Sequence, residues 1–163
     1  MGNVFGGGQQ SLYLSNGGTE VFVGTLMLAV SELAEEEWDF RFAALLTLQD
    51  QNVMGRGAVG FELRDIAWGA TPRERSRAKD FVLRATELAL SRHRWSDLGY
   101  EPSFAPDHLS RFLAMVESFE PTAAARLADG FPGPGEQACA SCIRHRILSA
   151  LPYWDGCFLC TGP

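Results

Sequence analysis

Apolar residues near the start of the chain recur at the spacing of an α-helix. Leu26, Val30 and Leu33 stand three or four positions apart, so a helix places them on one face, where they can be buried together. Thr19 precedes this run, and its hydroxyl can cap the first turn of a helix. The pattern therefore predicts a helix from Thr19 to about Glu36.

Three later stretches show the same periodicity and predict three more helices. The clearest start signal is Thr71-Pro72, because threonine caps a helix, proline suits its first position, and Glu74 can complete a capping box. The predicted bounds are Trp38 to about Gln51, Thr71 to about Arg94, and Asp107 to about Phe119.

Only two short stretches have the composition of strands. They are residues 11–15 and 59–64, and we expect them to pair with each other. Residues 1–10 are rich in glycine and predict a loose start of the chain, because glycine loses much conformational freedom on folding. Together these patterns predict a mainly α-helical fold, which is α+β only through one minor, short β-element.

A run of proline and glycine, Phe131–Gly135, interrupts the chain and favours neither helix nor strand. We interpret it as the boundary between a helical body, residues 11–130, and a C-terminal tail, residues 136–163, that packs on the body as one structural unit. With 163 residues, of which 46% are hydrophobic, the chain fits a single globular domain.

All four cysteines lie in the tail, as Cys139-x-x-Cys142 and Cys157-x-x-Cys160. Two residues between cysteines let one tight turn aim both sulfurs at one point, and two such turns supply the four thiolates of a tetrahedral metal site. We expect a structural zinc ion in this tail. Iron in a rubredoxin-like site satisfies the same ligand count, and a redox dithiol or disulfides are the other interpretations. The spacing resembles that of zinc ribbons and treble clefs, although no glycine follows either pair.

A histidine lies between the two cysteine pairs. His145 follows Cys142 by three residues and is a possible additional ligand; the alternative is a surface histidine on a basic turn with Arg144 and Arg146. The stretch Ile143–Leu151 predicts a short helix between the two cysteine turns. Closing both pairs onto one ion would organise this segment, which is too short to fold alone.

The formal net charge is −6, yet residues 72–94 carry seven basic and three acidic side chains and are net positive by four. An acidic chain disfavours broad nucleic-acid binding, because phosphate contacts need clustered positive charge. Candidate contacts for a protein partner are therefore the acidic residues at the start of the second predicted helix, the basic residues of the tail and one tryptophan of the tail. These candidates are Glu35, Glu36, Glu37, Asp39, Arg144, Arg146 and Trp154.

The sequence contains no nucleophile elbow, Walker loop or H-E-x-x-H motif, so we expect no catalytic residues and a non-enzymatic role. Small acidic proteins of this kind fit inhibitors that mask a basic toxin or enzyme, as bacterial immunity proteins and antitoxins do. The alternatives are a zinc-containing regulator that contacts nucleic acid through residues 72–94, and a thiol or metal redox sensor.

The first residues lack the basic and apolar regions of a secretory signal. No apolar run approaches the length of a membrane span. We therefore expect the cytoplasm, where thiols stay reduced and paired cysteines favour metal over disulfide. The abundance of arginine, alanine and glycine, with a single lysine, suggests a bacterial genome rich in GC.

Overall fold

The computed structural model describes residues 2–49, 59–123, 131–133, 135, 140–150 and 157–160. In this part of the chain the protein is mainly α-helical with two short antiparallel sheets, which confirms the predicted fold class. Its four α-helices are α1 (Asn16–Leu33), α2 (Glu37–Thr47), α3 (Pro72–Leu90) and α4 (Ala105–Ser118). The strands β1 (Asn3–Gly7) and β2 (Gln10–Leu14) form one sheet, and β3 (Ala140–Ser141) and β4 (Leu148–Ser149) form the other.

The central helix is α1, which packs against α2, α3 and α4 and is buried at every position from Gly24 to Val30. It begins before the predicted Thr19, because Ser15 provides the cap. The hydroxyl of Ser15 accepts a hydrogen bond from the N–H of Gly18 at 3.0 Å. Thr19 is buried inside the first turn, where its hydroxyl donates to the carbonyl of Ser15 at 2.8 Å. The prediction therefore placed the start of this helix too late.

The start of α3 agrees with the sequence prediction. The hydroxyl of Thr71 accepts from the N–H of Glu74 at 3.2 Å, and the carboxylate of Glu74 accepts from the N–H of Thr71 at 3.1 Å. This helix ends at Leu90 rather than near Arg94. Arg92 and Arg94 adopt left-handed backbone conformations, with φ of 67° and 58°, that a right-handed helix cannot contain.

Residues 3–7, predicted to be loose, instead form β1. This strand pairs antiparallel with β2, with Asn3 opposite Leu14. The ring of Phe5 is fully buried and packs edge to face on Phe22, with 5.2 Å between the ring centroids. Burial of this large ring offsets the conformational entropy that the flanking glycines lose on folding.

Residues 59–61 lie beside β1, so the predicted pairing of this segment with residues 11–15 is wrong. The N–H of Gly6 donates to the carbonyl of Phe61 at 3.0 Å. Gly60 has a φ of 135°, and a Cβ there would lie 1.8 Å from a carbonyl oxygen of β1, so only glycine fits. The prediction failed because it did not include β1 in the sheet.

An aromatic cluster fixes the segment after residue 61 against the helices. Trp38 of α2 stacks on Phe42 and on Trp68, with 5.5 Å between ring centroids in each pair. The indole N–H of Trp38 donates to the carbonyl of Ala67 at 2.8 Å, and that of Trp68 donates to the carbonyl of Leu63 at 2.7 Å. Both tryptophans thus join a loop to the core by packing and by a hydrogen bond.

The helical body includes β1, so it extends further toward the N-terminus than the predicted start at residue 11. The described part of the tail contacts this body, because β4 packs against α2. The division of the chain near residues 131–135 stays a prediction.

Candidate metal centre

A β-hairpin carries the first cysteine of the described tail. Its strands β3 and β4 pair antiparallel. At the turn, the N–H of Cys142 donates to the carbonyl of Ile147 at 3.0 Å, and the N–H of Arg146 donates to the carbonyl of Cys142 at 2.7 Å. Arg146 has a φ of 55°, a left-handed conformation that no α-helix interior contains. The predicted helix over Ile143–Leu151 is therefore wrong for the described residues.

Three sulfurs and one imidazole converge beside this turn. They belong to Cys142, His145, Cys157 and Cys160, and their ligand atoms all lie within 4.8 Å of one another. The imidazole Nδ1 lies 3.3 Å from two of the sulfurs, those of Cys157 and Cys160, and 3.9 Å from the third. The Cys160 sulfur lies 3.7 Å from that of Cys142 and 4.0 Å from that of Cys157. Tetrahedral zinc at ordinary bond lengths requires about 3.8 Å between sulfurs and about 3.6 Å between sulfur and nitrogen. The group can therefore hold a metal ion.

His145 enters the cluster through the same two-residue spacing that marks the cysteine pairs. In Cys142-x-x-His145, one tight turn aims a sulfur and a nitrogen at one point. Cys142 thus belongs to two overlapping pairs, one with Cys139 and one with His145. Spacing alone does not show which of these two residues binds the metal together with Cys142. Of the two interpretations of His145, the geometry supports the ligand over the plain surface histidine. Cys139 lies outside the described residues, so its predicted role as a ligand stays a prediction.

The surroundings of Cys142 and Cys157 shift the pKa values of their thiols in opposite directions. The backbone N–H of His145 donates to the Cys142 sulfur and is the main cause that lowers the pKa of Cys142 to about 6. Burial raises the pKa of Cys157 to about 11. Because the thiolate is the form that binds metal, Cys142 is available as a ligand near neutral pH. Ionisation of Cys157 instead needs a compensating positive charge at the centre of the cluster.

The hairpin anchors the cluster to two helices of the body. The N–H of Leu148 donates to the hydroxyl of Ser31 on α1 at 3.0 Å. The N–H of Ala150 donates to the hydroxyl of Thr47 on α2 at 3.4 Å. Ile147 is fully buried beside these contacts. The position of Cys142 and His145 is therefore set by α1 and α2 as well as by the turn itself.

The second turn, Cys157–Cys160, rests on α1. The N–H of Cys160 donates to the carbonyl of Cys157 at 3.0 Å. The Phe158 ring lies over Gly24, since a Cβ on that glycine would be 3.8 Å from the ring. Cys157 is buried and Cys160 is exposed. The cluster thus lies at the protein surface with its inner side covered by the body.

The predicted acidic contact surface is divided by the fold. Glu35, Glu36 and Glu37 are exposed, whereas Asp39 is fully buried. Its Oδ2 accepts from the N–H of Glu35 at 3.0 Å and from that of Glu36 at 3.1 Å, and its two oxygens bond to the Arg77 guanidinium. The prediction of a partner contact is therefore corrected for Asp39, whose carboxylate has no exposed surface. The contact role of the three glutamates stays a prediction.

The basic turn of the tail projects into solvent. Arg144 and Arg146 are exposed, and the neighbouring Ile143 is 98% exposed. Trp154, the remaining candidate contact, lies outside the described residues. The roles of these residues in partner binding stay predictions.

Most of the positive charge of residues 72–94 is used within the protein. Lys79, for example, donates to the carbonyls of Glu117 and Phe119. Of the seven basic side chains, six bond to other described residues, and Arg73 is exposed without such a bond. The six are Arg75, Arg77, Lys79, Arg84, Arg92 and Arg94. Arg84 and Arg92 keep 47% and 59% of their side chains exposed, so these bonds reduce the charge available to an outside partner without removing it.

Within the ranges that the structure describes, no helix is both long and apolar enough to cross a membrane. The features that bear on function are the cluster of three sulfurs and one imidazole, and the distribution of surface charge.

Known proteins offer no guide, because no family model, curated protein or solved structure matches this chain.

Proposed function

We propose that this chain is a non-enzymatic binding protein whose C-terminal tail is held by one structural zinc ion. The observation that carries the proposal is the closed set of donors. Cys142, His145, Cys157 and Cys160 fill four tetrahedral positions and leave none for water or substrate. Three thiolates and an imidazole suit zinc rather than magnesium or calcium, which prefer oxygen ligands.

A zinc ion at this point joins two pieces of chain that are too small to fold alone. The strands β3 and β4 have two residues each, and an isolated hairpin of that size is not stable in water. The four ligands link the hairpin to the turn Cys157–Cys160, which rests on α1. The free energy of metal binding then contributes to folding of the tail, while most of the buried core comes from residues of the helical body.

The partner that suits the remaining surface is a basic protein, such as a toxin or an enzyme. The chain has a net charge of −6, and Glu35 and Glu37 are exposed at the start of α2. Complementary charge speeds the encounter of such a surface with a basic partner. The small size, acidic charge and lack of catalytic motifs fit an inhibitor of the bacterial immunity-protein or antitoxin type. The cytoplasm suits this role, because reduced thiols remain free to bind zinc.

Nucleic acid is the less favoured partner. Tight binding of phosphate needs several free cationic groups on one surface. In this protein five of the seven basic side chains of residues 72–94 bond to other parts of the chain, and Arg84 bonds to Asp80 of the same helix. Arg144 and Arg146 are exposed, but two arginines beside an acidic body make a small positive surface.

Reversing the charge of Glu35 and Glu37 to lysine is expected to reduce capture of a basic partner roughly tenfold, because the attraction becomes repulsion. Glu36 is left unchanged, since its side chain belongs to the capping box of α2. The matched control reverses Glu87 and Glu117, which are also exposed and change the net charge by the same amount. Immobilised wild type, variant and control are incubated with lysate from the source cell, and the retained proteins are quantified by mass spectrometry.

Equal loss in the variant and the control would contradict a specific acidic contact surface.

A gel shift tests the protein partner against nucleic acid. Retention of DNA or RNA by the wild-type protein at physiological salt would contradict the inhibitor proposal and favour the nucleic-acid regulator.

One observation favours a second candidate function, that of a thiol redox sensor. The sulfurs of Cys142 and Cys160 are 3.7 Å apart, and Cys160 is exposed. Hydrogen peroxide can oxidise two such thiolates to a disulfide while it is reduced to water, and the metal ligands are then lost.

The two functions predict different responses to mild peroxide. A sensor is expected to lose about 2 Da of intact mass, the mass of the two thiol protons and electrons removed with disulfide formation, and to release its metal. A structural zinc site is expected to keep both its mass and its metal under the same treatment. Intact-mass spectrometry together with a zinc-release dye distinguishes these outcomes. The metal-free protein, treated with the same peroxide, is the control that shows the mass of the oxidised form.

A further inference from the structure

Arg94 connects the helical body to the metal cluster. It follows the C-terminus of α3 with a φ of 58°. Its Nη2 donates to the backbone carbonyl of His145 at 2.6 Å, and its Nε donates to the carboxylate of Asp97 at 2.8 Å. The guanidinium therefore bridges a carboxylate of the body and the peptide group of a cluster residue.

We propose that Arg94 is a positioning residue for the metal site, which it serves by holding the backbone of His145. The inference rests on the proposed function, because it takes His145 as a zinc ligand. A hydrogen bond to the carbonyl of His145 restricts rotation of that peptide group, and with it the direction of the imidazole. Partners of this kind, one step removed from the metal, restrict the orientation of a ligand before the metal binds.

The charge of Arg94 acts in the same direction as its geometry. Three thiolates and a neutral imidazole around a divalent ion leave the centre with one net negative charge. The guanidinium bonds to the peptide group of His145 and so places positive charge beside that residue. Asp97 offsets part of this charge, and the Arg94 side chain is only 24% exposed, so water screens the remainder incompletely. Lysine keeps the charge but lacks the planar fork that bonds to Asp97 and to the His145 carbonyl together.

The neighbouring Arg92 provides a matched control. It has the same residue type and a similar left-handed backbone, with a φ of 67°. Its guanidinium bonds to Glu101 at 2.8 Å and lies 4.8 Å from the ring centroid of Trp95, so it is engaged within the body. Replacing either arginine with alanine removes one positive charge near the end of α3. Only the change at Arg94 removes the bond to the cluster.

The test measures metal affinity and metal spectrum in four proteins: wild type, Arg94→Ala, Arg94→Lys and Arg92→Ala. Zinc affinity is measured by competition with a chromophoric chelator, and the ligand field is read from the d–d bands of the cobalt(II) form. Arg94→Ala is expected to weaken zinc binding roughly ten- to hundredfold and to shift the cobalt bands. Arg94→Lys is expected to recover part of the loss, and Arg92→Ala is expected to match the wild type.

The possible failures are distinguishable. If Arg94→Ala binds zinc as tightly as the wild type, or Arg92→Ala weakens binding equally, the role of Arg94 is overturned while the structural zinc stands. If the wild type itself binds no zinc, the proposed function is overturned and this inference with it. Circular dichroism shows whether α3 persists in each variant. If Arg94→Ala does not fold, Asp97→Ala, which removes the other anchor of the guanidinium, is measured in its place. It is expected to weaken zinc binding in the same direction, and unchanged affinity would overturn the role of Arg94.

Discussion

Replacing His145 with alanine is expected to abolish binding of one zinc per chain, whereas replacing Cys139 with serine is expected to leave it intact. The reason is that Cys142, His145, Cys157 and Cys160 bring four donor atoms within 4.8 Å of one another, which is enough for a four-coordinate metal site without Cys139. Elemental analysis of the purified variants measures the stoichiometry and also distinguishes zinc from iron. The zinc content of His145→Ala is expected to fall from about one per chain to near zero, because one of the four ligands is lost.

Two further variants complete this experiment. Cys142→Ser is expected to abolish metal binding whether Cys139 or His145 is the other ligand of the turn, since Cys142 belongs to both pairs. Metal removal by a chelator is expected to leave most of the helical circular dichroism, because the described tail contributes only Ile147 and Cys157 to the buried core that α1 to α4 share. Zinc retained in His145→Ala and lost in Cys139→Ser would contradict the ligand set and restore the four-cysteine site.

Replacing Asp39 with alanine is expected to lower the free energy of unfolding by about 3–5 kcal/mol. The carboxylate is fully buried, bonds to the guanidinium of Arg77 through both oxygens, and accepts two backbone N–H groups at the start of α2. The hydrogen bonds that the Arg77 guanidinium donates to Asp39 raise the pKa of Arg77, so they favour its charged form. Loss of the Asp39 carboxylate leaves two N–H groups without their acceptor and leaves Glu36, 3.3 Å away, as the remaining anionic partner of Arg77.

The measurement is urea unfolding at constant salt, and Glu37→Ala is the matched control. Glu37 also lies in the first turn of α2 but is exposed, so its loss is expected to cost less than about 1 kcal/mol. A double variant with Arg77→Ala is expected to cost less than the sum of the two single changes, because each single change already removes the bond between Asp39 and Arg77. Equal costs for Asp39→Ala and Glu37→Ala would contradict the buried ion pair.

Local patterns were sufficient for the helical class of the fold and for the start of α3. The capping box of Thr71 and Glu74 uses hydrogen bonds between residues three positions apart, so the sequence contains all the partners. The start of α1 was misplaced because Ser15 and Thr19 can both cap a helix, and their spacing does not show which hydroxyl reaches a free N–H. Local signals therefore determined the four long helices, and only approximately where each begins and ends.

Packing between distant parts of the chain decided what the local patterns left open. Phe5 enters the core and makes a strand of a glycine-rich segment, because Phe22 and Phe61 provide the surface that buries it. Asp39 reads as part of an acidic surface until Arg77, 38 positions away, becomes its partner inside the protein. Neither contact follows from residues near it in sequence.

The sequence by itself determined that this protein is mainly helical and that its tail carries sulfur ligands at the spacing of a metal site. Periodicity and two-residue spacing act over a few neighbouring residues, so they can be read without the fold. Only the tertiary structure decided that His145 joins the cysteines, that a hairpin rather than a helix presents it, and that Arg94 holds its carbonyl. Those outcomes depend on the position of α1, α2 and α3 around the tail, which no local pattern specifies.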